Sequence, residues 1–276
     1  MRALVLDSYQ NGRFRAAEIE SPPPANGELR IRVHASGVNP IDYKIRKGQA
    51  PFAAPTLPAV LGTDVAGVVT EVGAGVQGFA VGDEVYGLAG SVRGLQGSLA
   101  EFMTVDAALM ARKPANLTMR EAAALPLVAL TAWEGLVDRA NVQPGQTVLV
   151  QGGAGGMGHA AVQTAKALGA DVYATASSGK LDLVRKLGAT PIDYTSTTVE
   201  QYVQQYTGGK GFDIVYDTVG RYAPGFARRD TRLWSHRELR RVWNARSVGL
   251  FVPLRRHQRG VRSVSDVERR TSRPSR

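Results

Sequence analysis

The sequence predicts an α/β protein in which a β-rich first domain is followed by a doubly wound parallel sheet. Strand-like segments separated by Gly and Pro fill the first part of the chain, and strands alternate with helices from Gln146 onward. A glycine-rich turn joins the first of these later strands to a helix. We therefore expect a β-rich domain at 1–120, a partial dinucleotide-binding (Rossmann) domain at 121–220 and an anomalous tail at 221–276.

The β-rich domain is predicted from short segments of strand-like composition. Segments 29–35, 65–72 and 100–105 are strand candidates, and 81–87 predicts a turn followed by a short strand. The pattern changes near residue 118, where Thr118 precedes Glu121 by three positions, the spacing of a capping box. Helical spacing follows over 122–127 and 131–137.

The second domain is predicted from alternating strand and helix patterns. Its strands are expected at 147–151, 172–175 and 212–218. Its helices are expected at 157–168, 180–187 and 199–206. Alternation of this kind implies a parallel sheet with right-handed crossovers.

The turn after the first of these strands has the glycine spacing of a dinucleotide-binding loop. Gly153, Gly155 and Gly158 satisfy G-x-G-x-x-G where a strand meets a helix. Glycine suits this place because the backbone turns tightly and phosphate oxygens approach its N–H groups. The residues predicted to bind the diphosphate are Gly153, Ala154, Gly155, Gly156, Met157 and Gly158.

The residues after the second strand indicate which dinucleotide is bound. An NAD-binding unit usually places a carboxylate about 20 residues after the glycines, where it holds the ribose 2′-hydroxyl. The corresponding stretch, 176–180, contains hydroxyls at Ser177 and Ser178, a cation at Lys180 and no carboxylate. A 2′-phosphate fits these groups, so NADPH is favoured over NADH. The alternative is that Lys180 is a solvated residue at the start of a helix.

Composition excludes several classes of protein. The chain contains no cysteine, which rules out disulfides and thiolate metal sites. No apolar run is long enough to span a membrane, and the N-terminus enters a strand-like pattern without a signal-peptide core. A cytoplasmic, soluble protein is therefore expected.

The net charge of +10 is concentrated in the tail. Residues 221–276 contain sixteen of the chain's 34 basic side chains, all of them Arg, whereas the rest of the chain is nearly neutral. A basic protein that binds nucleic acid phosphates through this tail is the alternative function. The aromatic residues of the tail show no interleaved order among the arginines, and the tail has no known reader motif, which argues against specific binding.

The order of motifs over residues 1–220 resembles the zinc-independent medium-chain dehydrogenases/reductases, in the quinone oxidoreductase (zeta-crystallin-like) branch. The matching segments are HASGVNPIDYKIRKG, LPAVLGTDVAGVVTEVG, VGDEVYG, GSLAEF, AAALPLVALTAWEGL, the glycine loop and FDIVYDTVG. The resemblance implies a GroES-like β domain joined to a Rossmann domain, with a cleft between them. It also implies an oxidoreductase.

Two positions separate this chain from the zinc-dependent relatives. Asn39 stands where those relatives have a Cys ligand, and Thr63 where they have a His. Amide and hydroxyl groups do not supply the soft or imidazole ligands of a catalytic zinc, so no metal site is expected. Without a Lewis acid, the reaction should use acceptors that take up hydride readily, such as quinones and activated alkenes.

The resemblance also assigns roles to individual residues. It places Asn39 and Asp42 in the cleft, Thr131 against the nicotinamide and Tyr194 near the adenosine phosphate. Asn39 could donate a hydrogen bond to the developing oxyanion. Each of the four residues also fits a purely structural role: a turn before Pro40 for Asn39, a helix cap for Asp42, a bond to its own backbone for Thr131, and an exposed loop position for Tyr194.

The resemblance stops near Gly220, and Arg221 stands where the family has a second glycine. We interpret the Arg-rich, Lys-free tail as a shifted reading frame, so that the chain is truncated relative to its family. The parallel sheet would then keep four strands with an exposed edge, and the dimer edge of homodimeric relatives would be missing. Poor solubility and weak cofactor binding are expected. An enoyl reductase domain of a synthase is a further alternative.

Overall fold

The fold is described from a computed structural model, which covers residues 1–10, 12–92 and 94–219 in full and the backbone alone of 227–235. These residues belong to one compact unit, Met1–Arg240. The remaining residues, which include Arg221 and most of the predicted tail, lie outside the described part of the chain.

The first half of the chain contains two antiparallel sheets. Their strands are β1 (Arg2–Leu6), β2 (Phe14–Glu18), β3 (Glu28–Gly37), β4 (Ala59–Val60), β5 (Asp64–Val72), β6 (Glu84–Leu88), β7 (Phe102–Asp106) and β8 (Met110–Arg112). One sheet has the order β2-β1-β4 and the other the order β7-β3-β5-β6-β8. Helix α1 (Pro40–Arg46) follows β3 directly.

The larger antiparallel sheet forms because its strands alternate apolar and polar residues. Leu29 and Ile31 on β3 are fully buried. On β5, Val65 is fully buried and Val69 is almost fully buried. Met103 on β7 packs against the same cluster. Successive strand residues point to opposite faces, so this spacing places one face of the sheet in the core.

Two short helices connect the β-rich half to the parallel sheet. Helix α2 (Met119–Ala123) begins at the predicted capping box, in which the Thr118 hydroxyl accepts the N–H of Glu121 and the Glu121 carboxylate accepts the N–H of Thr118. Helix α3 (Pro126–Trp133) then continues into a π-helical segment, Glu134–Arg139.

The second half of the described chain is a parallel sheet with helices on both faces. Its elements are β9 (Thr147–Gln151), α4 (Gly156–Ala167), β10 (Asp171–Ala176), α5 (Leu181–Lys186), β11 (Thr190–Asp193), α6 (Val199–Thr207), β12 (Phe212–Asp217) and β13 (Ala227–Ser235). A 3₁₀ turn, Ser178–Lys180, precedes α5. The strand order is β11-β10-β9-β12-β13, and every pair is parallel.

Each face of the parallel sheet has its own core. Val148 and Val150 of β9 pack with α3, α4 and α5, whereas Leu149 packs with α6 on the other face. Tyr202 of α6 and Phe212 of β12 lie in this second core. The period of two along β9 therefore fills both layers, as expected of a strand buried on both sides.

The structure confirms the predicted fold class and corrects two predictions about the parallel sheet. Only three of the four expected strands were located in the sequence, and β11 is the strand that was not located. The predicted four-stranded sheet is also wrong, since the backbone of 227–235 forms β13 and pairs with β12. This pairing supplies hydrogen-bond partners to the β12 edge that was predicted to be open. In the described residues no helix is long and apolar enough to cross a bilayer.

The capping box at α2 gives a direct test of this connection. We expect Thr118→Ala to lower the free energy of unfolding by about 1 kcal/mol, because the N–H of Glu121 loses its acceptor. Thr118→Ser keeps the hydroxyl and should unfold like the parent chain in urea. Equal stability of the Ala and Ser variants would contradict the cap.

Candidate functional site

The glycine turn between β9 and α4 is shaped by two close approaches. Gly152 has a positive φ of 71°, a conformation that favours glycine. A Cβ on Gly158 would lie 2.1 Å from the carbonyl oxygen of Gly152, and one on Gly153 would lie 2.6 Å from the Cβ of Ala174 on β10. Side chains at these positions would push the turn away from the helix and from the neighbouring strand.

Neighbouring strands fix this turn from both sides. The N–H of Gly152 donates to Oγ1 of Thr175, at the end of β10, over 3.0 Å. On the other side, Oγ1 of Thr218 donates to the carbonyl oxygen of Gln151 over 2.7 Å. The turn is therefore held in place before any ligand is present.

The outer side of the turn is open. Gly155 and Gly156 are exposed, and the nearest atom to a Cβ built on Gly156 is Cγ1 of Val128, at 3.9 Å. Gly155 caps the 12-residue helix α4, whose first N–H groups have no partner within the helix. These N–H groups and the helix dipole favour a negatively charged group such as a diphosphate, so the residues present fit such a ligand.

The predicted adenosine-side residues lie at the adjacent strand ends. Ser177, Ser178 and Lys180 follow β10, and Ser178 and Lys180 are exposed. Tyr194 follows β11 and is also exposed. The strands are parallel neighbours, with Ala176 opposite Asp193, so these residues lie at one edge of the sheet.

The structure brings to this edge a carboxylate that was not predicted from the sequence. Asp193 lies at the end of β11, and its Oδ2 accepts the Ser178 hydroxyl over 2.7 Å. Asp193 lies well beyond the 176–180 stretch in the chain, and it reaches Ser178 only because β11 pairs with β10. The hydrogen bond was therefore not predictable without the strand pairing.

A second polar cluster is buried at the end of β3 and the start of β5. It consists of Asn39, Thr63, Asp64 and the carboxylate of Asp42. Nδ2 of Asn39 donates to Oδ2 of Asp64 over 2.8 Å and to Oγ1 of Thr63 over 3.2 Å. Both hydrogens of the Asn39 amide are thus directed at protein oxygen atoms.

Asp42 ties the start of α1 to the same cluster. Its Oδ2 accepts the N–H of Asn39 over 2.6 Å, which caps the helix, and its Oδ1 accepts the N–H of Thr63 over 3.1 Å. Burial raises the pKa of Asp42, although these bonds favour its ionised form. The capping role considered for Asp42 is therefore present in the structure.

Asp64 links this cluster to helix α3 and was not predicted as a site residue. It is fully buried, and its Oδ1 accepts the N–H of Leu127 over 3.1 Å. Burial raises the pKa of Asp64 to about 7, against the lowering effect of its bonds from Asn39 and Leu127, while the negative charge of Asp42 raises it further. In the sequence, the only indication of a role for Asp64 was its position as a carboxylate at the start of a buried strand.

The donor atoms of this cluster do not suit zinc. The amide nitrogen of Asn39 acts as a hydrogen-bond donor, and Thr63 offers only a hydroxyl. The chain contains no cysteine. Within the described ranges, no three His, Cys, Asp or Glu residues are grouped so that they could hold a metal.

Helix α3 contacts both the buried cluster and the glycine turn. Leu127 bonds to Asp64, and the next residue, Val128, faces Gly156. One turn later, the Thr131 hydroxyl donates to the carbonyl oxygen of Leu127 over 2.7 Å. This is the backbone bond that the sequence analysis gave as the structural alternative to a nicotinamide contact. The Tyr216 hydroxyl donates to the carbonyl oxygen of Thr131 over 3.1 Å. The helix therefore links the two sites through Leu127 and Val128, and Thr131 lies one turn beyond these residues.

Comparison with known proteins gives two family matches and several curated relatives. Residues 25–115 match the alcohol dehydrogenase GroES-like domain, and residues 156–227 match the zinc-binding dehydrogenase family. The chain is 44% identical over 211 residues to 2-methylene-furan-3-one reductase of Solanum lycopersicum, which covers 74% of this chain. The match spans 53% of that relative, about half its length.

Solved structures share the fold at comparable coverage. An alcohol dehydrogenase superfamily protein from Novosphingobium aromaticivorans is 53% identical, with a TM-score of 0.81 over 84% of this chain and 71% of its own. The Escherichia coli quinone oxidoreductase, solved in complex with NADPH, is 30% identical. Its TM-score is 0.75 over 85% of this chain and 72% of its own.

Asp64 should make the stability of the protein depend on pH. Its pKa is higher in the folded chain than the ordinary value of 3.8, so the folded state is favoured at acidic pH and loses stability as the pH rises to about 7. Between about pH 5 and about pH 8, ionisation of Asp64 should lower the free energy of unfolding by about 2 to 3 kcal/mol. We expect the Asp64→Asn variant to lack this decrease in the free energy of unfolding. Urea unfolding at both pH values measures it.

Asp182→Asn is the matched control, because Asp182 is a carboxylate that lies exposed on α5. It should leave the pH dependence unchanged. If Asp64→Asn and the parent chain lose the same stability over this pH interval, the folded-state ionisation of Asp64 has been assigned incorrectly.

Proposed function

Because this chain belongs to the medium-chain dehydrogenase/reductase family, in the zinc-independent quinone oxidoreductase branch, we propose that it is an NADPH-dependent oxidoreductase that transfers hydride to a quinone or an activated alkene. The observation that carries the proposal is the glycine turn at the end of β9, where the exposed residues Gly155 and Gly156 lead into helix α4. The solved E. coli relative carries NADPH, and the tomato relative is named for the reduction of a methylene-furanone.

In this proposal the backbone N–H groups of Gly156 and Met157 hold the diphosphate. These groups stand at the start of a helix, where anions are stabilised by unpaired N–H groups and by the helix dipole. At the adenosine end, Ser177, Lys180 and Tyr194 would contact the ribose and its 2′-phosphate. The support for this is their common position at the carboxyl edge of β10 and β11.

Bound NADPH would supply the hydride, and the protein would supply position and a water-poor environment. Thr131 is suited to hold the carboxamide end. Its hydroxyl hydrogen already bonds to the carbonyl oxygen of Leu127, so the oxygen atom remains as an acceptor for an amide N–H.

Asn39 and Asp42 are proposed to act on the acceptor side of the site. Both hydrogens of the Asn39 amide bond within the cluster, and the contact to Thr63 is the longer of the two. Donation by Asn39 to a developing oxyanion therefore requires exchange of the bond to Thr63. Asp42 would hold the backbone N–H groups of Asn39 and Thr63 in place during that exchange.

The side chains next to these residues favour an apolar acceptor. Val38, which precedes Asn39, is 81% exposed, and Leu130, which precedes Thr131, is 54% exposed. Tyr43, Phe52 and Trp133 are also large, exposed apolar side chains. Quinones and conjugated enones combine an apolar body with a carbonyl oxygen that takes up negative charge when hydride is added.

The homodimeric assembly that the family resemblance implies and a cytoplasmic location remain predictions.

The proposal is tested by titrating the chain with NADPH and then following reduced-nicotinamide absorbance with a panel of quinones and enones. We expect weak but saturable binding of NADPH, as the truncated sequence predicts, and an oxidation that depends on the acceptor. Absence of NADPH binding would contradict the proposal, and binding without oxidation by any acceptor would contradict the assigned reaction.

Lys180 tests the preference for the 2′-phosphate. We expect Lys180→Ala to raise the Kd of NADPH about tenfold, through loss of one charge-assisted contact, and to leave the Kd of NADH unchanged. Lys186→Ala removes the same charge from the last turn of α5 and is the matched control. An equal effect of both variants would indicate a general charge effect and contradict a contact at Lys180.

A further inference from the structure

The proposed 2′-phosphate pocket contains groups of opposite charge. Lys180 follows β10 and supplies a cation, whereas Asp193 reaches the same edge from β11. Ser178, two residues before Lys180, bonds directly to the Asp193 carboxylate. An anionic group beside a phosphate pocket weakens phosphate binding. A 2′-phosphate site therefore explains the presence of Lys180 but not that of Asp193.

The Asp193 carboxylate is held firmly in its ionised form. Its Oδ1 accepts the hydroxyl of Thr195 over 2.6 Å and the N–H of Thr195 over 2.9 Å, while its Oδ2 accepts the hydroxyl of Ser178 over 2.7 Å. The bond from the Thr195 hydroxyl, followed by that from Ser178, lowers the pKa of Asp193 below its usual value. The negative charge is therefore present at neutral pH.

This arrangement determines what Ser178 can offer to a ligand. Its hydroxyl hydrogen bonds to Asp193, so the exposed side of the oxygen presents lone pairs. A ribose 2′-hydroxyl can donate to such an oxygen, whereas phosphate oxygens can only accept. A ligand that bonds to Ser178 lies within about 6 Å of the carboxylate, since two hydrogen bonds in series span that distance.

We propose that Asp193 sets the balance between the two dinucleotides: through Ser178 it accommodates the 2′-hydroxyl of NADH and opposes the 2′-phosphate that Lys180 attracts. The proposal rests on the proposed function, because the dinucleotide must lie across the glycine turn to bring its ribose to this edge. The chain then binds both dinucleotides, with a weaker preference for NADPH than the cation and hydroxyls alone would produce.

Asp193→Asn tests this assignment with little change in shape. The amide oxygen can still accept from Thr195, and the amide nitrogen can donate to Ser178, which frees the Ser178 hydroxyl to donate to a phosphate. We expect the ratio of the NADH Kd to the NADPH Kd to increase about three- to tenfold, measured by titration of the full chain. The increase should shrink at high salt, because part of it is repulsion between charges near the surface.

Asp171→Asn is the matched control. Asp171 is an exposed carboxylate at the opposite end of the neighbouring strand β10, so its substitution removes the same charge from the same sheet, away from the proposed pocket. It should leave the ratio unchanged.

The possible outcomes separate this inference from the function on which it rests. A ratio that changes less than about twofold in Asp193→Asn, or that falls, overturns the role of Asp193. That result includes equal weakening of both dinucleotides, which is what a purely structural role in the 193–197 loop would produce. If the parent chain binds neither dinucleotide, the proposed function and this inference fail together.

Discussion

The parallel pairing of β9, β10, β11 and β12 is the constraint on which the candidate site depends. Parallel strands end at the same edge, so the residues that follow each strand are brought together although they are far apart in sequence. The glycine turn follows β9, Ser178 follows β10 and Asp193 ends β11. Thr218, after β12, bonds back to the end of β9. Without this pairing, the residues proposed to hold a dinucleotide would be scattered loop positions.

The buried carboxylate of Asp64 connects the two halves of the site. It bonds to Asn39 in the β-rich half and to the first turn of α3, and α3 also faces the glycine turn through Val128. A buried carboxylate is costly unless it is hydrogen-bonded, so both contacts should resist displacement. The proposed acceptor-side residue and the proposed nicotinamide-side residue, Thr131, therefore share one support. The support consists of hydrogen bonds within the protein.

Local patterns were sufficient to predict most of the fold, because strand alternation, helix caps and the glycine turn depend on residues that are close in sequence. Thr118, the glycines and the buried strands of the parallel sheet were found in this way. Contacts between strands were not predictable: Asp193 reaches Ser178, and Asp64 reaches Leu127, only through the tertiary fold. β13 was missed because segment 227–235 is rich in Arg and lacks apolar alternation. The capping bond of Asp42 and the backbone bond of Thr131 match structural roles predicted from sequence, and their contacts with ligands remain predictions.

A crystal structure of the chain grown with NADPH would test the central claim most directly. We expect diphosphate oxygens within hydrogen-bond distance of the backbone N–H groups at Gly156 and Met157, with the adenosine end beside Lys180 and Tyr194. A dinucleotide bound away from the end of β9, or a first turn of α4 whose N–H groups contact no dinucleotide at saturating NADPH, would contradict the claim.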